Sequence, residues 1–195
     1  MRKQVLKQFK ESADLILKVA DELVEPIIDA AKIITEALRR GNKLLLFGNG
    51  GSAADSQHIA AEFVNRFMIE RPPLPAIALT TDTSVITSIG NDYGFSEIFV
   101  KQIKALGNRG DVAIAISTSG ASQNILKGVR AAKKMEIVTV GLTSVKGKKL
   151  IDLVDLPLVI PSEYTPRIQE AHIVVGHILC DMTDMMLFKN YKRKE

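Results

Sequence analysis

Five short apolar runs, each bounded by Gly, Pro, Asp, Ser or Thr, set the terms for what this chain can fold into. They are Lys43–Phe47 (KLLLF), Ala76–Leu79 (AIAL), Val112–Ile116 (VAIAI), Ile137–Leu142 (IVTVGL) and Leu156–Ile160 (LPLVI). Runs this short and this apolar are strands buried on both faces. Helix-like segments separate most of them: Ser52–Phe67, Ser96–Leu106 and Ser122–Lys134. Strand, helix, strand at this spacing predicts an α/β fold, a parallel sheet flanked by helices on both faces. Before the first run, residues 4–40 repeat apolar positions at helical spacing, and Pro26 is expected to divide them into two N-terminal helices. Pro166 is expected to open a last long helix reaching roughly Phe188. No repeat or long linker divides the chain, so residues 1–195 read as a single domain. Its N-terminal helices must cover their apolar surface on the core or on a neighbouring subunit.

Charge and cysteine content narrow the function classes. The net charge is +4, but Lys189–Glu195 contributes four bases and one acid, which leaves the body nearly neutral. A large nucleic-acid surface is therefore not expected, and the tail reads as a solvated end. The single cysteine, Cys180, cannot form an intrachain disulfide and sits in an apolar helical stretch, consistent with a reducing compartment. The N-terminus runs straight into a charged amphipathic pattern, and no segment approaches a membrane span. A cytoplasmic protein is expected, with no membrane partner.

Ligands of open parallel sheets bind beyond the carboxyl ends of the strands. The first strand runs into Gly48-Asn49-Gly50-Gly51-Ser52 and then a helix, where glycine lets backbone amides approach an anion. Gly48-x-Gly50-x-x-Ala53 loosely matches a dinucleotide fingerprint. However, Glu70 precedes the second strand and Asp82 lies too far beyond it to serve as the acid, so no nucleotide cofactor is expected. The third strand runs into Ser117-Thr118-Ser119-Gly120-Ala121-Ser122, where one serine would suffice as a helix cap. Three serines and a threonine point instead to a phosphate held by hydroxyls, amides and the helix dipole. His58 and Glu62 share a helix face at four-residue spacing, and Gln169 and His177 lie on the last helix. Two imidazoles and a carboxylate suit a divalent metal, zinc by preference. Gln169 and His177 are separated by about 12 Å of helical rise. Sharing one ion would stretch both side chains towards each other, unless different subunits supply them. His172 lies off the His177 face and is expected to be structural or solvated.

The strings FGNGGSAADSQHIAAEFVNRF, AIALTTD, GNDYGF, GDVAIAISTSGAS and RIQEAHIVVGHIL, in this order and spacing, resemble the phosphoheptose isomerases of the sugar-isomerase (SIS) superfamily. The resemblance runs from about Leu44 to Leu187. It implies a flavodoxin-like SIS fold with a five-stranded parallel sheet, and a homotetramer with sites at subunit interfaces. It further implies conversion of the sugar phosphate sedoheptulose 7-phosphate to D-glycero-D-manno-heptose 7-phosphate, the first step towards nucleotide-activated heptose for lipopolysaccharide or other surface glycans. The implied zinc ligands are His58, Glu62, Gln169 and His177. The implied substrate contacts are Asn49, Gly50, Gly51, Ser52, Glu62, Asn91, Asp92, Ser117, Thr118, Ser119, Ser122 and Gln169. Glu62 would be the base of an enediol mechanism and His177 the acid or proton shuttle, with Asp92 orienting hydroxyls or assisting in ring opening. Some relatives carry Asp where this chain has Pro166, so any role of that Asp is absent or supplied otherwise. A non-catalytic relative that binds a replication initiator resembles the chain around RPPLPAIALTTD and in the RIQE helix. It lacks the counterparts of Glu62 and His177, so these two residues discriminate an enzyme from an adapter.

Overall fold

The computed structural model describes residues 1–188; the basic tail Lys189–Glu195 lies outside the described residues. Five strands form one parallel sheet: β1 (Leu44–Gly48), β2 (Ala76–Ala78), β3 (Val112–Ile116), β4 (Val138–Ser144) and β5 (Leu156–Ile160), in the order β2-β1-β3-β4-β5. This is the flavodoxin-like order, with its switch point between β1 and β3. All five expected strands are present, with ends shifted by one or two residues where they differ.

Alternation along the strands builds two cores. Leu44 and Leu46 of β1, with Val112, Ile114 and Ile116 of β3, face one layer of helices. That layer comprises α1 (Arg2–Arg39), α2 (Gly51–Val64) and α7 (Thr165–Leu187). Leu45 and Phe47, with Ala113 and Ala115, face the other layer. It holds α3 (Thr83–Asp92), α4 (Ile98–Leu106) and α5 (Gln123–Lys134), with the short α6 (Lys148–Ile151) near β4 and β5. Each fully buried Leu, Ile or Phe contributes about 1.5–3 kcal/mol, so the sheet is held mainly by what lies on its two faces.

The expected elements need correction at four places. Pro26 does not divide the N-terminal region, because α1 is one helix with the proline inside it. Leu23 and Ile27 are both buried in the same core, one turn apart across Pro26, and that packing holds the two halves on one axis. Glu22, whose carbonyl loses its bond to the ring nitrogen, is exposed, so water can satisfy that oxygen. Helix α3 was not anticipated. It is capped by Asp82, whose carboxylate accepts from the Val85 amide at 2.9 Å, and none of its residues is buried. The segment expected as helix over Ser96–Leu106 begins as a tight turn at Phe95–Glu97 before α4, and α2 stops at Val64 rather than Phe67.

The first half of α1 projects Val5, Leu6, Phe9 and Leu17 into solvent, each more than half exposed. Two polar contacts tie this half to the start of α7. Arg167 donates to the Gln8 carbonyl at 2.7 Å, and Ser12 donates to Glu170 at 2.7 Å.

Replacing Pro26 with Ala restores one helical hydrogen bond and removes the clash of the ring with the preceding turn. The P26A protein should therefore gain about 1–3 kcal/mol of stability. A thermal melt checks this, and a midpoint that stays level or falls would mean that packing of the ring outweighs the lost bond.

Candidate active site

Gly48 and Ile116 are partners on the last rung of the β1–β3 pairing, so the loops that follow them emerge side by side. Gly48 is required by close approach, since a Cβ there would fall 2.5 Å from the Ser52 carbonyl oxygen. Gly50 is the N-cap of α2, and Gly51 and Ser52 are its first residues, with Ser52 buried. Asn49 and Asn124 exchange two amide bonds, at 2.8 and 3.0 Å, and so link the glycine turn to the first turn of α5. Asn124 is buried and also caps the Ile125 amide at 3.0 Å. Sequence reasoning missed it because a lone Asn at a helix start looks like an ordinary cap.

The serine loop is folded tightly on β4. The Ser117 carbonyl accepts from Thr143 Oγ1 and the Thr118 carbonyl from Ser144 Oγ, both at 2.7 Å. Ser117 Oγ accepts from the Gly120 amide at 3.1 Å, and Ser119 Oγ from the Ala121 amide at 3.3 Å. Gly120 has φ +57°, and a Cβ there would strike the Gly147 backbone. Ser122 is the N-cap of α5, yet its hydroxyl makes no capping bond. Ser122 is thus not consumed by capping, and Ser119 is exposed.

Helices α2 and α7 run side by side in the same direction, so that Gln169 lies over Gly51 and Gly176 over Ile59. This register brings His58 to His177, with Nε2 atoms 2.9 Å apart. Glu62 Oε1 lies 3.3 Å from His58 Nε2. One donor atom from each of His58, Glu62 and His177 lies within 4.8 Å of the others. Ligand atoms at about 2.0–2.2 Å from a tetrahedral zinc lie roughly 3.3–3.5 Å apart, and two nitrogens with one carboxylate oxygen are a donor set zinc accepts. The His58–Glu62 distance matches this spacing and the two imidazoles stand closer, so the triad could hold a divalent ion once the rings part slightly. Phe67 stacks on the His177 ring, with centroids 5.5 Å apart and 24° between planes. The fourth expected ligand, Gln169, packs its carboxamide over Gly51 at the start of α2, while the triad hangs from backbone two turns further along both helices.

Asn91 and Asp92 are the last two residues of α3. They are exposed and bonded to each other, Asn91 Nδ2 donating to Asp92 Oδ1 at 2.9 Å. Helix α3 packs on the opposite face of the sheet from the triad, so this pair is not joined to His58, Glu62 and His177 within one chain. His172 is structural: it is fully buried, and its Nε2 lies 3.3 Å from the Thr143 carbonyl, the neighbour of the serine loop. Burial lowers its pKa to about 4, with the Thr143 bond acting weakly against that shift. Cys180 is buried, and burial pushes its thiol far above the usual range.

The sequence profile of the SIS domain matches residues 8–144. A phosphoheptose isomerase of Thermodesulfovibrio yellowstonii is 53% identical over 186 residues, spanning 95% of this chain and 92% of that protein. Two solved structures are similar over their whole length. A phosphoheptose isomerase of Neisseria gonorrhoeae superposes with a TM-score of 0.89 at 43% identity, covering 94% of this chain and 98% of its own. That of Francisella tularensis gives 0.91 at 41% identity, covering 94% and 97%.

The buried His172 ring makes stability depend on pH. An unfolded chain takes up this proton near pH 6.5, whereas the folded chain refuses it until about pH 4. The contribution is therefore complete above pH 6.5 and is lost as pH falls towards 4, a loss on the order of 3 kcal/mol. His172→Gln keeps a donor for Thr143 and removes the titration. Denaturant melts from pH 7 to 4 should show a shallower fall in H172Q than in the parent, and parallel curves would refute this assignment.

Proposed function

The chain belongs to the phosphoheptose isomerase family of the SIS-domain proteins, and from that membership we propose that it interconverts sedoheptulose 7-phosphate and D-glycero-D-manno-heptose 7-phosphate. The observation that carries the chemistry is the meeting of His58, Glu62 and His177 on two helices anchored beside the serine loop.

The ketose phosphate seats its phosphate on Ser117, Thr118, Ser119 and Ser122, where hydroxyls, amides and the start of α5 supply donors without a lysine. Asn49, Gly50, Gly51, Ser52 and Gln169 line the approach at the start of α2. Glu62 takes the proton from C1 and returns it to C2. His177 gives a proton to the oxygen on C2 and receives one from the oxygen on C1, so the aldose forms with no net gain or loss of protons. His58, Glu62 and His177, joined by Gln169 if its side chain swings from Gly51, would hold a zinc ion, whose chemistry is to polarise the sugar oxygens. Asn91 and Asp92, exposed on the far face, reach substrate from a neighbouring subunit. On this reading the sites lie at subunit interfaces of a homotetramer, whose assembly would also cover Val5, Leu6, Phe9 and Leu17, exposed in the single chain. The whole chain acts as one SIS domain in the cytoplasm and feeds heptose into surface glycan synthesis. Among the described residues no helix is long and apolar enough to cross a membrane.

Glu62→Gln keeps volume and removes the charge. Its turnover of sedoheptulose 7-phosphate should fall roughly 10²–10⁴-fold, the usual worth of a positioned base. The circular dichroism spectrum should be unchanged. Full activity in E62Q would remove Glu62 from the mechanism. Absence of any ketose phosphate turnover in the parent protein, with tight binding to a replication initiator, would replace the enzyme by an adapter. Ser119→Ala should mainly raise KM if the hydroxyl holds phosphate equally in ground and transition states. A fall in kcat at constant KM would assign it to the chemistry instead.

A further inference from the structure

The last turn of a helix leaves carbonyls without partners. At the end of α2 two of them, those of Glu62 and Phe63, are met by a single buried guanidinium. Arg71, on the segment that returns from α2 towards β2, donates from Nη2 to the Glu62 carbonyl at 2.8 Å. Its Nη1 donates to the Phe63 carbonyl at 2.7 Å, to Pro72 at 3.2 Å and to Asn65 at 3.3 Å. Its Nε donates to Asp184 Oδ1 at 2.9 Å, and the two side chains are 2% and 1% exposed. Asp184 Oδ2 has no hydrogen-bond partner, so Arg71 is the cation that compensates this carboxylate. Burial nonetheless pushes the Asp184 carboxyl above its usual range, against the pull of Arg71.

Three parts of the proposed centre meet at this fork. The first is the backbone of Glu62 itself. The second is α7, where Asp184 stands seven residues after His177 and hence on the same face. The third is the 65–72 segment, whose Phe67 stacks on His177. We propose that Arg71, locked by Asp184, is a positioning residue for the isomerase: it fixes Glu62 relative to His177 and so sets the geometry of the ion site. Stability alone is a weak reason for such a pair, because buried ion pairs are often replaced by apolar residues at no loss. A lysine could not do the same work, because an ammonium is a point charge without the planar fork that spans several carbonyls and a carboxylate at once.

This inference rests on the triad being a metal site, and the test separates the two. The parent protein is titrated with cobalt, and R71K and R71M/D184L are compared with it. R71K keeps a charge for Asp184, and the double variant removes both charges, so neither leaves an orphaned ion in the core. Each leaves carbonyls at the end of α2 without the donor they had, so both should fold but melt below the parent. Both should bind cobalt roughly 10- to 100-fold more weakly, the usual loss when an outer-shell partner is removed. Turnover should fall with little change in KM. Parent-like cobalt affinity and kcat in a folded R71K would overturn the proposal, whatever the double variant does. If the parent binds no cobalt, the metal reading fails. The positioning claim is then decided in the metal-free proteins by NMR of the His177 ring, whose resonances carry the ring-current shift of Phe67. They should move in R71K, and identical resonances would overturn it.

Discussion

The rung that pairs Gly48 with Ile116 is the constraint from which the site follows. From β1 the chain crosses to β2 on one side, and from β3 it crosses to β4 on the other, so the two loops open a crevice between them. Because Gly48 carries no side chain, the turn folds back until Ser52 touches the strand end, and α2 starts directly over the sheet. The Asn49–Asn124 amide pair then ties α2 on one face to α5 on the other. A crevice whose two walls are joined by side-chain bonds holds its donors at fixed separation before any ligand arrives.

The two ends of the sheet do different work. At the amino ends, charges are spent on structure. Burial pushes Asp111 up, but Lys43, whose ammonium and amide both reach it, and the Asn108 amide hold it below its usual range. Asp155 is balanced in the same way by Lys133 and Thr139. At the carboxyl ends the serine loop uses its backbone carbonyls to dock on Thr143 and Ser144, while the Ser117 and Ser119 hydroxyls take up the Gly120 and Ala121 amides. Behind it, His172 supports the Thr143 carbonyl as a neutral ring, so no buried cation is introduced beneath the loop.

The strands were legible because a parallel sheet covered on both faces needs continuous apolar runs, and VAIAI or KLLLF have no other good use. The pairing of His58 with Glu62 was legible because four residues make one turn. What escaped the sequence depended on partners far along the chain. Pro26 looked like a break because local rules see the lost bond and not the burial of Leu23 and Ile27 on either side of it. Helix α3 was missed because TSVITSIGND mixes β-branched and small residues of weak helical propensity. Its evidence was the Asp82 cap, a one-residue signal. Arg71 was unremarkable in RPPLP, since nothing local shows that its guanidinium reaches Asp184, 113 residues away. Gln169 was placed on the right helix, but the register of α2 against α7 sets its amide over Gly51.

That register also bears on whether the centre is chemical or only structural. Two imidazole nitrogens 2.9 Å apart need a proton or a cation between them, since two lone pairs at that distance repel. A shared proton would satisfy both rings and leave Glu62 with no necessary part. Yet Glu62 Oε1 stands 3.3 Å from the same His58 nitrogen, so three donor atoms crowd one small volume. A carboxylate there stabilises positive charge between the rings, and the more charge that volume holds, the more the arrangement gains. A divalent ion meets that demand better than one proton. An adapter that only displayed a sugar-phosphate pocket would gain nothing from concentrating three donor atoms in one small volume.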